Sequence, residues 1–305
     1  LKENPMTIEW TGVFPAATTQ FDPDQQVDLV ATSVHLDGLI SAGVQGLIVL
    51  GSLGENSTLE PTEKLAVLST AVDAARGRVP VIAGVAEAST AKACRFAREA
   101  EKAGASGLMV LPAMIYKSDP AETIAHFRAV ARASGLPVLC YNNPVAYGVD
   151  VTPEMFAELA DEDTLVAIKE SSGDVRRITD LVNCCGGRYS LLMGMDDLVL
   201  EGVAAGVDGW VAGLVNAFPE ETMRLWQLAA SGRLREAREL YRWFAPLLHL
   251  DSMPKFVQYI KLAQQECGRG SEQVRAPRLK LRGVERGRIL ELLRRAISSR
   301  PLVPV

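Results

Sequence analysis

The sequence predicts a (β/α)8 barrel with a C-terminal helical extension, residues 1–232 forming the barrel and 233–305 the extension. Two observations carry this. Eight short runs rich in Val, Ile and Leu recur along the first 212 residues, each followed by a stretch of helical periodicity, the alternation that βαβ units require. The runs are apolar without polar alternation, which suits strands covered on both faces. An open, doubly wound sheet shares this pattern, so closure rests on the count of eight.

The runs predict strands over 12–18, 46–50, 80–84, 107–111, 137–142, 165–169, 190–194 and 209–212. Between them, Glu60-Pro61-Thr62-Glu63 opens a helix with proline in its first turn, and Ser89 and Asp119 are candidate caps for two more. The pairs Ala42-Gly43, Ala103-Gly104 and Ala205-Gly206 suit helix C-termini, where glycine takes the left-handed conformation. Residues 219–230, 234–247, 253–267 and 285–297 carry helical spacing, more helix than a last barrel unit needs, and Pro277 interrupts the final pair.

Composition narrows the function. The 305 residues are 48% hydrophobic and 23% charged with a net charge of −5, a globular chain without the basic footprint that phosphate backbones demand. Nucleic-acid partners are therefore not expected, nor are membranes, since no apolar run reaches the roughly 20 residues of a span. Five cysteines without a Cys-x-x-Cys pair suit reduced thiols in a cytoplasmic protein. Met6 is a candidate start, with Leu1 to Pro5 either added or a native extension. His35, His126 and His249 lie apart in helical stretches, so structural roles are expected and no metal site. The first strand lacks a Gly-x-Gly-x-x-Gly turn and no glycine-rich cradle follows the seventh, so neither a nicotinamide cofactor nor a phosphate substrate is implied.

In a barrel, chemistry collects where strands end. Lys169 ends the sixth run; an amine desolvated against apolar walls loses its proton more readily and can attack a carbonyl to form an imine. A lysine there can also send its head to solvent. Tyr141 ends the fifth run, and a phenol beside an imine can move protons to and from the substrate; a buried core tyrosine is the alternative. After the second run, Gly51-Ser52-Leu53-Gly54-Glu55 offers a tight turn whose N–H groups and hydroxyl can face a carboxylate. Glu55 is expected to brace backbone rather than react.

Together the Gly-x-x-Gly-Glu turn at 51–55, Tyr-Asn-x-Pro at Tyr141 and Ile-Lys-Glu at 168–170 resemble the family of dihydrodipicolinate synthase and N-acetylneuraminate lyase, the Schiff-base aldolases. The resemblance spans almost the whole chain. It implies a cofactor-free (β/α)8 enzyme, a homotetramer or homodimer, acting on a small 2-oxo or 2-imino acid. Within it Lys169 would form the imine, Tyr141 transfer protons and Ser52 relay them, with Gly51, Leu53, Met114, Gly194 and Val211 lining the pocket. Three positions depart from the synthase pattern: Leu53 replaces a threonine, Ala146 an arginine that binds the second substrate's carboxylate, and Met114 a tyrosine supplied across the dimer.

These losses disfavour condensation with an aldehyde. The residues 209–219 and Tyr-Asn-Asn-Pro look most like the hydroxyproline-degrading branch, whose members are deaminases of 1-pyrroline-4-hydroxy-2-carboxylate. Condensation of pyruvate with an aldehyde, sugar-acid aldol or dehydration chemistry, and a non-catalytic acid-binding barrel are the alternatives.

Overall fold

A computed structural model describes residues 8–113 and 116–301. The eight strands are β1 (Gly12–Pro15), β2 (Leu47–Val49), β3 (Val81–Val85), β4 (Gly107–Val110), β5 (Val138–Asn142), β6 (Leu165–Glu170), β7 (Ser190–Met193) and β8 (Gly209–Ala212). All neighbours pair in parallel, in the order β1-β8-β7-β6-β5-β4-β3-β2. The ring closes between β1 and β2: Ala17 N–H donates to Ile48 O at 2.8 Å and Gln45 N–H to Val13 O at 3.0 Å. An open sheet is thereby excluded. Apart from the half-buried Val166 and Ser190, every strand residue is buried, which is why the runs are continuously apolar.

Strand ends differ from expectation for local reasons. β1 stops before residue 18 because Thr18 N–H turns away to the Asn216 side chain, 3.2 Å distant. β2 ends early because Leu50 takes a left-handed φ of 62°. β6 runs one residue past Lys169, held by Asn142 across one edge and by Gly194 N–H on Glu170 O across the other, at 2.8 Å.

Around the ring lie α1 (Leu29–Ser41), α2 (Pro61–Ala75), α3 (Thr90–Lys102), α4 (Pro120–Ala131), the short α5 (Pro144–Tyr147) and α6 (Pro153–Glu158), then α7 (Arg176–Cys185), α8 (Val199–Ala205) and α9 (Pro219–Ala230). Asp119 caps α4 by accepting from Glu122 N–H at 2.8 Å, and Ser89 caps α3. Gly43, Gly104 and Gly206 follow their helices at φ of 90°, 91° and 97°, as the alanine–glycine pairs indicated. None of these helices, nor those that follow, is long and apolar enough to cross a membrane.

The C-terminal helices α10 (Leu234–Leu248), α11 (Phe256–Glu266) and α12 (Gly283–Ser298) share one apolar core with the barrel. Phe218, just before α9, meets Trp243 and Phe244 of α10 edge-on at 6.1 and 5.9 Å, a favourable aromatic geometry. Polar links reinforce the seam: fully buried Lys261 of α11 pairs with fully buried Glu55 at 2.7 Å, joining the extension to the turn after β2.

Candidate active site

Parallel register sets Lys169 of β6 beside Tyr141 of β5 and Leu192 of β7. Its side chain is only 6% exposed, and Nζ sits 4.0 Å from the centre of the Tyr141 ring. The ring face favours a cation, but burial opposes it more strongly and lowers the lysine's proton affinity. Among the described residues no hydrogen bond or ion pair occupies Nζ. Gly194 leaves room for this side chain: a methyl there would lie 2.6 Å from Lys169 Cε and 2.8 Å from Cγ.

Hydroxyl groups surround the amine. Asn143 Nδ2 donates to the Tyr141 hydroxyl at 3.2 Å, and the Tyr141 ring meets Tyr147 edge-on at 5.5 Å. The Tyr147 hydroxyl is in turn hydrogen-bonded to Ser52 Oγ. Burial raises both phenols above their ordinary pKa, so at neutral pH they remain proton donors. Ser171, 1% exposed, adds a hydroxyl that has no hydrogen-bond partner among the described residues and faces Gly194 alongside Lys169. Tyr147 and Ser171 escaped the sequence reading. Tyr147 rides on α5, too short for a periodic signature, while Ser171 follows the lysine motif without belonging to it.

The motifs brace one another. Asn142 Nδ2 donates to Glu170 at 3.0 Å and to Asp150 at 3.1 Å, while its oxygen accepts from Val151 N–H at 2.9 Å. Glu170 also accepts from Ser172 N–H at 2.6 Å. These bonds fix the strand ends that carry Tyr141 and Lys169.

The turn after β2 has an unusual backbone. Its left-handed residues are Leu50 and Glu55, at φ of 62° and 56°, and not the glycines; such backbone is strained in residues with a side chain and concentrates at functional sites. Gly51 and Gly54 instead allow close approach, to Met109 and to the Ala17 and Leu50 backbone. Ser52 and Leu53 N–H make no internal hydrogen bond among the described residues, leaving two donors available beside the Ser52 hydroxyl. Glu55 braces the turn from below, accepting from Lys261 Nζ and, at 3.1 Å, from Arg275 N–H.

Two acids complete the surroundings of Lys169. Asp196, fully buried, accepts from Trp210 Nε1 at 2.9 Å and from the N–H groups of Gly213 and Leu214 at 3.1 and 2.7 Å. Burial still pushes it up to about 6. Asp251, from the turn after α10, lies against Gly213 and is raised well above the carboxylate range by burial and by Asp196. Both act on Lys169. Neither acid stands in a motif, and Asp251 comes from outside the repeating units.

Leu53 and Val211 are buried apolar residues, at 2% and 1% exposure; Val211 registers with Phe14 of β1. Met114 lies outside the described residues. The histidines are engaged in the scaffold: His35 with Asn216 at 2.7 Å, His126 with Leu111 O at 3.2 Å and His249 with Asp197 at 2.9 Å.

Comparison with known proteins agrees with this architecture. Residues 9–296 match the Dihydrodipicolinate synthetase family. A 4-hydroxy-tetrahydrodipicolinate synthase from Sorangium cellulosum is 36% identical over 95% of this chain and 97% of its own length. A putative dihydrodipicolinate synthetase from Pseudomonas aeruginosa superposes with a TM-score of 0.89 at 32% identity, covering 94% of this chain and 99% of that one. A prophage protein of the dihydrodipicolinic acid synthase family from E. coli K12, solved in complex with pyruvate, gives a TM-score of 0.88 at 30% identity, covering 94% and 98%. The chain belongs to the dihydrodipicolinate synthetase family and is a Schiff-base lyase of that family.

Proposed function

We propose that this member of the family deaminates 1-pyrroline-4-hydroxy-2-carboxylate to 2-oxoglutarate semialdehyde, with Lys169 as the imine-forming amine. The observation that carries the reading is electrostatic. The titratable groups acting on Lys169 are all acids, the Tyr147 phenol with Asp251 and Asp196, and Ala146 stands where a synthase would carry its carboxylate-binding arginine. Such surroundings oppose a second carboxylate-bearing substrate and suit one whose remaining functional group is a nitrogen.

In this account the Ser52 and Leu53 N–H groups hold the single carboxylate. The free amine of Lys169 adds to C2 of the cyclic imine, the ring opens, and a proton leaves C3 to give an enamine. The C4 hydroxyl departs as water with a proton delivered through Tyr141, Ser52 and Tyr147, the acid–base work that positioned hydroxyls supply. The double bond shifts to C4–C5 and isomerises to an imine at C5, whose hydrolysis releases ammonia. Hydrolysis of the lysine imine frees the product. One water is consumed overall: one is lost in elimination and two enter in the hydrolyses.

Condensation of pyruvate with an aldehyde is the second reading, favoured by the names of the relatives. Incubating the purified chain separately with the pyrroline and with pyruvate plus aspartate semialdehyde distinguishes the two. Ammonia and semialdehyde released in equal amounts from the pyrroline are expected; condensation without ammonia release overturns the proposal.

A further inference from the structure

Asp251 belongs to the C-terminal extension, yet its carboxylate reaches the end of the barrel. Its N–H donates to Leu248 O at 3.0 Å, holding the turn that follows α10. A methyl on Gly213, the residue after β8, would meet Asp251 Oδ1 at 2.2 Å and Oδ2 at 3.1 Å. The carboxylate therefore lies on Gly213, whose own N–H donates to Asp196 at 3.1 Å.

The neighbouring acids are satisfied. Asp196 has Trp210, Gly213 and Leu214 as donors, and Asp197 has His249 at 2.9 Å and Ser252 at 2.7 Å. Asp251, by contrast, accepts no side-chain hydrogen bond and forms no ion pair among the described residues. Lys169, at the same end of the barrel, is 6% exposed and likewise without a partner among them. Each charge acts on the other, but no direct ion pair joins them. An acid and an amine, each without a partner among the described residues, thus lie at one end of the barrel, where Ser171 adds a hydroxyl that also lacks a partner among those residues.

We propose that Asp251 is the receptor for the substrate's nitrogen: it gives a proton to the ring nitrogen during ring opening and then binds the resulting ammonium group. This rests on the pyrroline reading and names the residue that would make the pocket select a nitrogen-bearing acid. As the Lys169 Nζ–C2 bond forms, the π pair of C2=N goes to the ring nitrogen, which takes the proton of the Asp251 carboxyl. A proton passes from the lysine nitrogen to the ring nitrogen, the lone pair on Nζ forms the C2=Nζ imine as the C2–N ring bond breaks with its pair on the ring nitrogen, and an amine remains on C5. That amine takes a further proton from water and pairs with the Asp251 carboxylate. Burial and Asp196 hold the Asp251 carboxyl well above its ordinary range, which favours the protonated form.

The test uses two probes that cannot lose water from C4: 1-pyrroline-2-carboxylate, the cyclic form of 5-amino-2-oxopentanoate, and 2-oxopentanoate, the same chain without nitrogen. Borohydride trapping on the full-length protein, followed by intact mass, gives an initial rate for each. The wild type is expected to trap the nitrogen-bearing probe at least tenfold faster relative to each probe's reactivity with free lysine. Asp251→Asn is expected to lower that ratio at least tenfold, and Asp251→Glu to retain more of it. A wild-type ratio near one, or one unchanged in Asp251→Asn, overturns the proposal. If Asp251→Asn fails to fold, the wild-type ratio still decides. Absence of pyrroline turnover with the ratio intact removes the deaminase reading and leaves the nitrogen receptor standing.

Discussion

At the residue scale the proposed chemistry turns on an amine denied water. Because burial lowers the proton affinity of Lys169, the rate of imine formation should rise with pH along a limb centred below the ordinary lysine value of about 10.4; a limb at or above that value would contradict the geometry. Tyr141→Phe keeps the ring beneath Nζ and removes only the hydroxyl. It is expected to cut turnover by about 10²–10⁴-fold while borohydride still traps a slower-forming adduct. Steady-state turnover and trapping rates measured side by side separate these effects. The placement of Lys169, Tyr141 and Ser52 was legible in the sequence because each terminates an apolar run or sits in the turn that follows one. Tyr147, Ser171 and Asp251 were not: their relation to Lys169 arises from a short helix, a post-strand residue and the extension, and no local pattern encodes such meetings.

At the scale of elements, close approach and buried pairing hold the site. Gly194 follows β7, and a methyl there would also lie 2.0 Å from Ser171 Oγ. Gly194→Ala must therefore displace the lysine chain or the hydroxyl, and adduct formation should fall at least tenfold with circular dichroism unchanged. An unaffected trapping rate would remove Gly194 from the account. The Glu55–Lys261 pair ties α11 to the turn of Ser52. Removing one member of a buried ion pair costs about 3 kcal/mol or more, so Lys261→Met should lower the denaturant midpoint and raise KM as the turn loosens. The existence and order of the strands, and the caps of α3 and α4, were legible from apolar runs and capping residues. The geometry of the turn was legible only in part: its glycines marked a tight turn, but the left-handed backbone falls at Leu50 and Glu55, where tertiary bonds hold Glu55.

At the scale of the whole molecule, barrel and extension share a core, so the chain cut at residue 232 should not fold alone. Phe244, Leu247, Leu248 and Ile260, all fully buried, would be missing, and a cooperative unfolding transition in that fragment would show otherwise. Acid should weaken the full-length protein through His35. Burial lowers its pKa from 6.5 to about 4, so the unfolded chain binds the extra proton between those values. Stability is therefore full above pH 6.5 and declines as pH falls toward 4, by roughly 3 kcal/mol; chemical denaturation across that range, with His35→Gln lacking the step, checks the sign. The eight-unit rhythm foretold the barrel, but its closure needed the bonds between β1 and β2 together with the pairing of β1 with β8, whose residues lie at opposite ends of the barrel sequence. The most direct measurement is borohydride trapping of the intact protein with 1-pyrroline-4-hydroxy-2-carboxylate or pyruvate, followed by peptide mass mapping. We expect one adduct per chain, on the peptide containing Lys169, and none in Lys169→Ala; no adduct, or an adduct on another lysine, would contradict the account.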